Sequence, residues 1–247
     1  MKKLHFYAVI IGTEILNGRR TDKHFSFLKN ALLERGYTLF ASFVIKDDLD
    51  LIEQTYRLIL ADPLSVMFSF GGIGSTPDDL TRAIAAKVFT DKTLVRHQQF
   101  ERDIIKRFGD AAYPHRIFMS DLPENALLLK NPVNNMSGFY LQERFFFVPG
   151  FPEMAHTMVH EALENFYPPN LKLYRFTLYA QTSENTLIDL MEVLPEHIEL
   201  SSLPVFRNNL PNVELSIAGY DESEAAEWFS TFTIFLDNHA IAYVVQS

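Results

Sequence analysis

Residues 69–82 read SFGGIGSTPDDLTR. In this stretch three glycines, two small hydroxyl residues, a proline and two adjacent aspartates follow an apolar segment, residues 66–70, that is predicted to be a strand. The glycines allow positive φ and a close approach of a ligand to the backbone, and the residues from Thr76 onward have the composition of a helix start. A strand, a glycine loop and a helix in this order are typical of open α/β sheets, whose ligands bind at the carboxyl ends of the strands.

The sequence around this loop alternates between strand and helix patterns. Because strand–helix–strand units give right-handed crossovers between parallel strands, the predicted fold class is α/β, a three-layer α/β/α arrangement with a mostly parallel sheet. The apolar periodicity predicts strands at 4–11, 38–45, 66–70 and 145–148, and helices at 23–35, 49–59, 77–88, 97–108 and 152–166.

The composition changes at NFYPPNLKL, where two adjacent prolines end a helix. We therefore expect two domains, residues 1–168 and residues 169–247. The second is predicted to be a small α+β domain of the ferredoxin-like, split β-α-β kind. Its predicted strands are 174–180, 199–203, 213–218 and 241–245, and its predicted helices are 185–193 and 222–238.

Composition narrows the possible classes of function. The 247 residues include no cysteine, which excludes disulfides, thiolate nucleophiles and cysteine metal sites. A formal net charge of -9 argues against a broad electrostatic grip on nucleic acid. No apolar run approaches the roughly 20 residues that span a bilayer. We expect a cytoplasmic protein without a nucleic-acid or membrane partner. A small phosphorylated ligand needs only a local site and is compatible with this composition.

Polar and acidic residues also follow the other predicted strands. Thr13 and Glu14 come after residues 4–11, and Asp47 comes after residues 38–45. Because the carboxyl ends of parallel strands meet at one edge of a sheet, these side chains are predicted to converge beside the glycine loop. Carboxylates repel a phosphate unless a hard cation lies between them, which is the usual arrangement around Mg²⁺.

The glycine loop also has a purely structural interpretation. Thr76, Pro77, Asp78 and Asp79 fit the N-cap and the first three positions of a helix, so that Thr76 and Asp79 would satisfy each other's backbone N–H groups. The loop matches neither a P-loop nor a GxGxxG motif, because no GK[ST] follows it and the glycine spacing differs. An anion cradle and a helix cap are both compatible with these residues.

Four motifs together resemble one family. IIGTEILNG at 10–18, VIKDD at 44–48, GGIGSTPDDLTR at 71–82 and FFVPGFPEM at 146–154 are similar to the molybdopterin-binding (MoaB/Mog-like) domain, and most closely to its CinA-like, competence/damage-inducible branch. The resemblance covers residues 4–166 in order. The segment after residue 170 resembles the small middle domain of CinA-like proteins. The C-terminal amidase domain of full-length CinA-like proteins is not expected in this chain.

The resemblance implies a site for a phosphorylated pterin, such as molybdopterin, or for a nucleotide, and metal-dependent hydrolysis of an ADP-ribose type of pyrophosphate. Asp47 and Asp79 would hold Mg²⁺ or another divalent cation, and Asp78 or Glu14 would orient the attacking water. A homo-oligomer is also expected. The residues implied to contact the ligand are Gly12, Thr13, Gly71, Gly72, Gly74, Ser75, Thr76, Pro149, Gly150 and Pro152.

Two departures from the family pattern leave two alternatives to an enzyme. One is a non-catalytic pterin- or nucleotide-binding module, and the other is a structural subunit with a decayed site. His24 stands where CinA-like proteins carry an asparagine, and the turn NNMSGFY at 134–140 replaces a Gly-Thr-Ala-Pro-Gly turn. The basic residues Arg19, Arg20 and Lys23 either steer phosphate or are simply solvated. His156 and His160 have the i, i+4 spacing of a zinc pair, but an exposed helix face is the preferred interpretation.

Overall fold

The computed structural model describes residues 4–90, 92–207 and 210–246. The chain divides into two compact units, Met1–Pro169 and Asn170–Ser247. The first unit contains the glycine loop and the residues of the four family-like motifs. The boundary predicted from the double proline was residue 168.

A mostly parallel sheet forms the centre of the first unit. Its six strands have the order β2-β1-β3-β8-β7-β6. β1, β2, β3 and β8 are parallel, β7 pairs antiparallel with β8, and β6 pairs antiparallel with β7 at the edge. A separate antiparallel pair is formed by β4 and β5. The strands are β1 (His5–Ile11), β2 (Leu39–Ile45), β3 (Ser65–Phe70), β4 (Leu94–Arg96), β5 (Asp121–Pro123), β6 (Leu127–Leu129), β7 (Gly138–Leu141) and β8 (Phe145–Val148).

Helices connect these strands. A π-helical turn, Ala86–Thr90, continues α4, and two short 3-10 helices, Gly109–Ala112 and Arg116–Ser120, follow α5. Within the described ranges, none of the helices has both the length and the apolar character that crossing a bilayer would require. The helices of the first unit are α1 (Thr13–Leu16), α2 (His24–Glu34), α3 (Leu49–Leu60), α4 (Thr81–Ala85), α5 (Gln98–Phe108) and α6 (Pro152–Phe166).

The two faces of the sheet bury separate hydrophobic cores. Successive residues of a strand point to opposite faces, and β1 follows this rule along its length. Tyr7, Val9 and Ile11 belong to the core under α3 and α5, whereas Phe6, Ala8 and Ile10 belong to the core under α2 and α6. A strand that is buried on both faces must be apolar throughout, which is the pattern of β1. The predicted three-layer α/β/α fold class is confirmed.

The helix predicted at 77–88 begins later than expected. Residues 77–80 form a turn, and α4 starts only at Thr81. The Asp79 carboxylate accepts from the Thr76 amide as the cap interpretation predicted, and also from the Gly74 amide. The Thr76 hydroxyl donates to the same carboxylate and does not accept from the Asp79 amide, which leaves the predicted cap incomplete. The short strands β4 to β7 were not predicted either, because three or four residues carry too little periodicity to identify a strand.

The second unit has the predicted ferredoxin-like topology. Its sheet has the order β10-β11-β9-β12 with every neighbour antiparallel, which is the arrangement of two split β-α-β units. Leu178, Leu215 and Phe232 are fully buried in its core. The elements are β9 (Tyr174–Ala180), α7 (Ile188–Glu192), β10 (Glu199–Arg207), β11 (Leu210–Gly219), α8 (Glu222–Asn238) and β12 (Tyr243–Val245).

Candidate functional site

A cavity of about 530 Å³ lies at the carboxyl edge of the sheet. It is formed by the segments that follow the four parallel strands β1, β2, β3 and β8, which is the position where open α/β sheets bind ligands. We call it the strand-edge cavity. The predicted site residues that line it are Glu14, Asp47, Gly71, Gly72, Gly74, Ser75, Thr76, Asp78, Asp79, Pro149 and Gly150.

Three predicted ligand contacts do not line this cavity. Gly12 and Thr13 make contacts within the protein: the Gly12 amide donates to the Ile45 carbonyl at 3.0 Å, and Thr13 donates to Asp47. Pro152 occupies the first position of α6 and lines a neighbouring cleft. A proline at the start of a helix is fully explained by its fixed φ and its missing N–H. These residues are therefore supports of the site.

Two of the loop glycines have the positive φ that was predicted. Gly71 has φ 98° and Gly72 has φ 69°. A Cβ on Gly71 would lie 2.5 Å from the Ile11 carbonyl oxygen, and one on Gly72 would overlap the Thr81 hydroxyl. Gly74 is required for another reason, because a Cβ there would lie 2.6 Å from the Asp79 carboxylate. The loop thus needs glycine at all three positions.

Asp79 closes the glycine loop on itself. Its Oδ1 accepts a hydrogen bond from the Gly74 amide at 2.8 Å, and its Oδ2 accepts from the Thr76 amide at 2.7 Å and from the Thr76 hydroxyl at 2.6 Å. The predicted cradle is corrected at these two amides: they donate to the protein's own carboxylate and are not available to a bound anion. Because α4 has only five residues and starts at Thr81, no helix N-terminus contributes to the cradle either.

Other amides of the loop are unpaired. The N–H groups of Gly72, Ile73 and Ser75 donate to no acceptor within residues 4–90, 92–207 and 210–246. All three residues line the strand-edge cavity. Since a backbone N–H away from bulk water costs free energy when it is unsatisfied, these amides are suited to an oxyanion or to ordered water.

Asp47 is held in place by the turn after β1. Its Oδ2 accepts hydrogen bonds from the Thr13 amide at 2.8 Å and from the Thr13 hydroxyl at 2.9 Å. The two residues are 34 positions apart in sequence, and adjacency of β1 and β2 in the sheet brings them together. The Oδ1 atom of Asp47 accepts no hydrogen bond from the described residues, so it is free to bind a ligand.

The oxygen donors of the cavity fit a divalent cation that is bound together with a phosphate. Asp47 Oδ1 is free, and the half-buried Glu14 carboxylate also accepts no hydrogen bond within the described part of the chain. No group of three or more His, Asp or Glu side chains among the described residues is placed to hold a metal alone. Mg²⁺ commonly uses one or two carboxylates plus phosphate oxygens and water, so this donor set suffices only with a phosphorylated ligand.

The rest of the cavity wall comes from segments that the sequence did not single out. Residues of α5, the second 3-10 helix and α6 contribute an apolar surface, and Arg116 and Arg20 contribute positive charge. Only Arg20 was considered beforehand, as part of a basic cluster. Arg116 follows a histidine in AYPHRIF, a segment without clear periodicity, so nothing local marked it. The apolar wall residues include Phe100, Phe108, Met119, Phe151 and Met154.

Arg82, the last residue of the opening motif, supports the loop from below. Its guanidinium donates to the carbonyl oxygens of Gly74 at 2.7 Å, of Asp121 at 3.1 Å and of Phe118. Arg82 is buried, and burial lowers the pKa of its guanidinium against the opposing effect of Asp79 and Asp121. An arginine three residues after the paired aspartates was the available sequence signal for this role.

His24 and the turn at residues 134–140 have different relations to the cavity. His24 is buried, stacks on Phe70 with ring centroids 4.4 Å apart, and lines the neighbouring cleft instead. Burial lowers its pKa. By contrast, Asn134, Met136 and Ser137 line the strand-edge cavity, so the unusual turn forms part of its wall.

The fold and this cavity define an open α/β protein with a candidate ligand site at the carboxyl edge of its parallel strands. Residues 7–169 match the family model described as "Probable molybdopterin binding domain". This match covers more than half of the chain, and the chain belongs to that family. The resemblance of the four sequence motifs to it is confirmed.

Sequence and structure comparisons extend the similarity to CinA-like proteins. A protein of Thermoplasma acidophilum is 26% identical over 228 residues, 89% of this chain and 88% of its own length. A CinA-like protein of Escherichia coli (strain SE11) is 29% identical over 87% of this chain, which spans 56% of that relative. Among solved structures, the CinA protein of Thermoplasma acidophilum has a TM-score of 0.58 and 29% identity, covering 65% of this chain and 96% of that one.

Proposed function

We propose that this chain binds a phosphorylated pterin or nucleotide in the strand-edge cavity. The observation that carries the proposal is the set of three unpaired amides, at Gly72, Ile73 and Ser75, beside Arg20 and Arg116 in a cavity of about 530 Å³. That volume is within the usual range for small-molecule sites, and unpaired amides with arginines are the usual partners of phosphate.

The apolar wall supports a ligand with a flat ring. Phe108, Met119 and Met154 offer the aromatic and thioether surfaces against which a pterin or nucleobase stacks favourably. A ligand with an aromatic ring at one end and phosphate at the other would therefore match both halves of the cavity. The family description, which names molybdopterin, a phosphorylated pterin, supports the same class of ligand.

We extend this proposal to hydrolysis of a nucleotide pyrophosphate of the ADP-ribose type, with a divalent cation such as Mg²⁺. Asp47, through its free Oδ1, would hold the cation, with Asp79 as a weaker second ligand because its carboxylate already accepts three hydrogen bonds. The cation would neutralise phosphate charge. The unpaired loop amides would stabilise the negative charge that develops on the phosphate oxygens.

Glu14 is the residue we assign to orient the attacking water and accept its proton. Its carboxylate has no hydrogen-bond partner among the described residues, and it lines the strand-edge cavity. Asp78 also lines the cavity but is exposed to solvent, which makes it a poorer general base. Attack of water on one phosphorus of ADP-ribose would break the pyrophosphate bond and release AMP and ribose 5-phosphate.

A non-catalytic binding module is the second candidate. The observation that favours it is the use of Asp79 to close the loop, since that carboxylate is then a structural group. Such a module would bind the same phosphorylated ligand and release it unchanged. The two candidates share the cavity and differ only in turnover.

Turnover of ADP-ribose with Mg²⁺, followed by ³¹P NMR, separates the candidates. Hydrolysis is expected in the wild type and is expected to fall about 100-fold or more in Asp47→Asn. Asp48→Asn is the matched control, because Asp48 caps α3 through the Leu51 amide and asparagine caps equally well. Tight binding without turnover would favour the binding module, and absence of any binding would contradict both.

A further inference from the structure

A second pocket of about 640 Å³ adjoins the strand-edge cavity. Ser75, Thr76 and Arg116 line both, so the tip of the glycine loop forms the shared wall. We call it the loop pocket. Its other polar lining residues are Arg82 of α4 and Tyr113 and His115 of the segment after α5.

The two pockets have opposite electrostatic character. Four carboxylates line the strand-edge cavity, those of Glu14, Asp47, Asp78 and Asp79. No carboxylate lines the loop pocket among the described residues, whereas two arginines and a histidine do. The protein has a net charge of -9, so a concave surface lined only by cationic and neutral groups differs in sign from the molecule as a whole. Such a surface attracts anions.

Arg82 carries a buried charge that Asp79 and Asp121 offset only at longer range, without a direct ion pair among the described residues. The residue is only 7% exposed, and all of its hydrogen-bond acceptors are neutral backbone carbonyls. Its Nε has no partner within the described ranges, and no carboxylate forms an ion pair with it. Burial nevertheless dominates and lowers the Arg82 pKa, and a buried cation without a direct ion pair is stabilised when an anion approaches it. The loop pocket is the concave surface from which an anion can do so.

Arg116 adds an oriented donor at the mouth of the pocket. Its guanidinium lies over the Phe108 ring, 4.9 Å from the centroid, and Nη1 donates to the Ala111 carbonyl at 2.8 Å. These two contacts orient the planar fork and leave its remaining N–H groups free. A fixed arginine fork matches the oxygen geometry of a phosphate group. The unpaired Ser75 amide lies in the same shared wall.

We propose that the loop pocket is a phosphate-binding subsite, separate from the carboxylate-lined cavity, in which Arg82, Arg116 and His115 receive a phosphate group. The inference goes beyond the proposed function, because it needs neither a metal nor turnover. The phosphate can belong to the ligand of the strand-edge cavity, reaching across Ser75 and Thr76, or it can be a free phosphate or pyrophosphate. Both sources present the same chemistry to the pocket.

The test is calorimetric titration of the full chain with pyrophosphate in the presence of EDTA. His115→Glu places a carboxylate in the loop pocket without altering the strand-edge cavity, and is expected to weaken pyrophosphate binding at least about tenfold. Arg116→Gln is expected to weaken it to a similar extent. His115 and Arg116 are exposed, so both variants are expected to fold.

Two matched controls accompany these variants. Arg102→Gln removes an exposed arginine of α5 that lies outside both pockets, and His115→Gln removes the imidazole without adding charge. Unchanged binding in Arg102→Gln and clearly smaller losses in His115→Gln than in His115→Glu support the subsite. A wild type that binds no pyrophosphate, or a His115→Glu variant that binds it as tightly as the wild type, overturns it.

A parallel titration with ADP-ribose distinguishes the sources of the phosphate. If His115→Glu also weakens ADP-ribose, the phosphates of that ligand reach the loop pocket. If ADP-ribose binds as before while pyrophosphate is lost, the subsite takes a separate phosphate. Failure of the proposed function, meaning no ADP-ribose binding or turnover, would leave the pyrophosphate titration unaffected, so the two failures can be told apart.

Discussion

Asp79 connects the sequence motif to the shape of the loop, because one carboxylate satisfies the amides of Gly74 and Thr76 as well as the Thr76 hydroxyl. Asp79→Ala removes the acceptor of all three hydrogen bonds. We expect the free energy of unfolding to fall by about 1–3 kcal/mol, since the loop is partly exposed and water replaces part of what is lost. Urea unfolding followed by circular dichroism measures this change.

Asp78→Ala is the neighbouring control for that variant. Asp78 is exposed and accepts from neither the Gly74 amide nor the Thr76 amide; only the Thr76 hydroxyl and its own amide lower its pKa. Its replacement is expected to change stability by no more than about 0.5 kcal/mol, as is usual for surface positions. Equal losses in the two variants would show that Asp79 does not hold the loop closed.

Substitution of Gly72 tests whether the loop excludes a side chain for steric reasons as well as through its positive φ. Gly72→Ala combines a positive φ of 69° with overlap between the new Cβ and the Thr81 hydroxyl. Gly18→Ala has a similar φ of 78° and nothing within 4 Å of its Cβ. We expect about 1–2 kcal/mol of destabilisation for Gly18→Ala and a larger loss for Gly72→Ala. Thermal unfolding of both variants gives the difference, and equal losses would refute the steric part.

At the level of elements, the packing of α2 against α6 was not foreseen. His156 was expected on an exposed helix face, but its ring stacks on Phe27 of α2, with ring centroids 3.6 Å apart and an angle of 6° between the ring planes. His156 Nε2 has no hydrogen-bond partner in the described part of the chain. The imidazole therefore contributes to the α2–α6 contact mainly as a neutral ring. The expectation of an exposed face is wrong for His156 and holds for His160.

The stability of this helix pair should depend on pH. Burial, followed by the nearby His24 and His160, lowers the pKa of His156 from 6.5 to about 4 against the opposing effect of Glu153 and Asp22. Between pH 6.5 and pH 4 the unfolded chain binds a proton that the folded chain does not, so stability is lost as the pH falls through this range. Because the ring is only partly buried, we expect a loss on the order of 2 kcal/mol.

Urea unfolding at pH 7 and pH 4.5 measures that loss, with His156→Gln as the variant that lacks the titrating group. The pH-dependent loss is expected to be smaller in His156→Gln than in the wild type. His115→Gln, at an exposed position outside α2 and α6, is expected to behave like the wild type. An identical pH dependence in all three proteins would contradict the assignment to His156.

At the level of the whole molecule, the two units have separate hydrophobic cores and separate roles in the proposals. All lining residues of the strand-edge cavity and of the loop pocket belong to the first unit. Phe232→Ala in the second unit deletes a fully buried ring and is expected to destabilise that unit by about 3–5 kcal/mol. Ligand binding by the first unit is expected to persist.

The single tryptophan makes this test direct. Trp228 packs against the core of the second unit, so its fluorescence reports the unfolding of that unit alone. In Phe232→Ala the fluorescence transition should move to lower urea concentration, while calorimetric titration with ADP-ribose stays unchanged. Loss of ADP-ribose binding together with the fluorescence transition would show that the first unit depends on the second. Assembly into a homo-oligomer stays a prediction, for which sedimentation velocity is the measurement.

Apolar periodicity and glycine placement in the sequence were enough to determine the layers of the fold. β8, β9, α6 and α8 have the predicted bounds, because a strand or helix that buries a face must repeat apolar residues with period 2 or 3.6. The positive φ of Gly71 and Gly72 was also readable, since only glycine adopts it without strain. These features are local, because each depends only on residues that are close together in the sequence.

Only the tertiary structure decided which groups meet at the site. Thr13 reaches Asp47 because β1 and β2 are adjacent. Arg116 and Ser75 line the same pocket because the segment after α5 folds back beside the glycine loop. Asp79 accepts from the amides that were expected to bind a ligand. The sequence does not show whether these amides donate to the protein's own carboxylate or to a bound anion. Contacts between distant residues depend on strand order and loop path, which no local periodicity encodes.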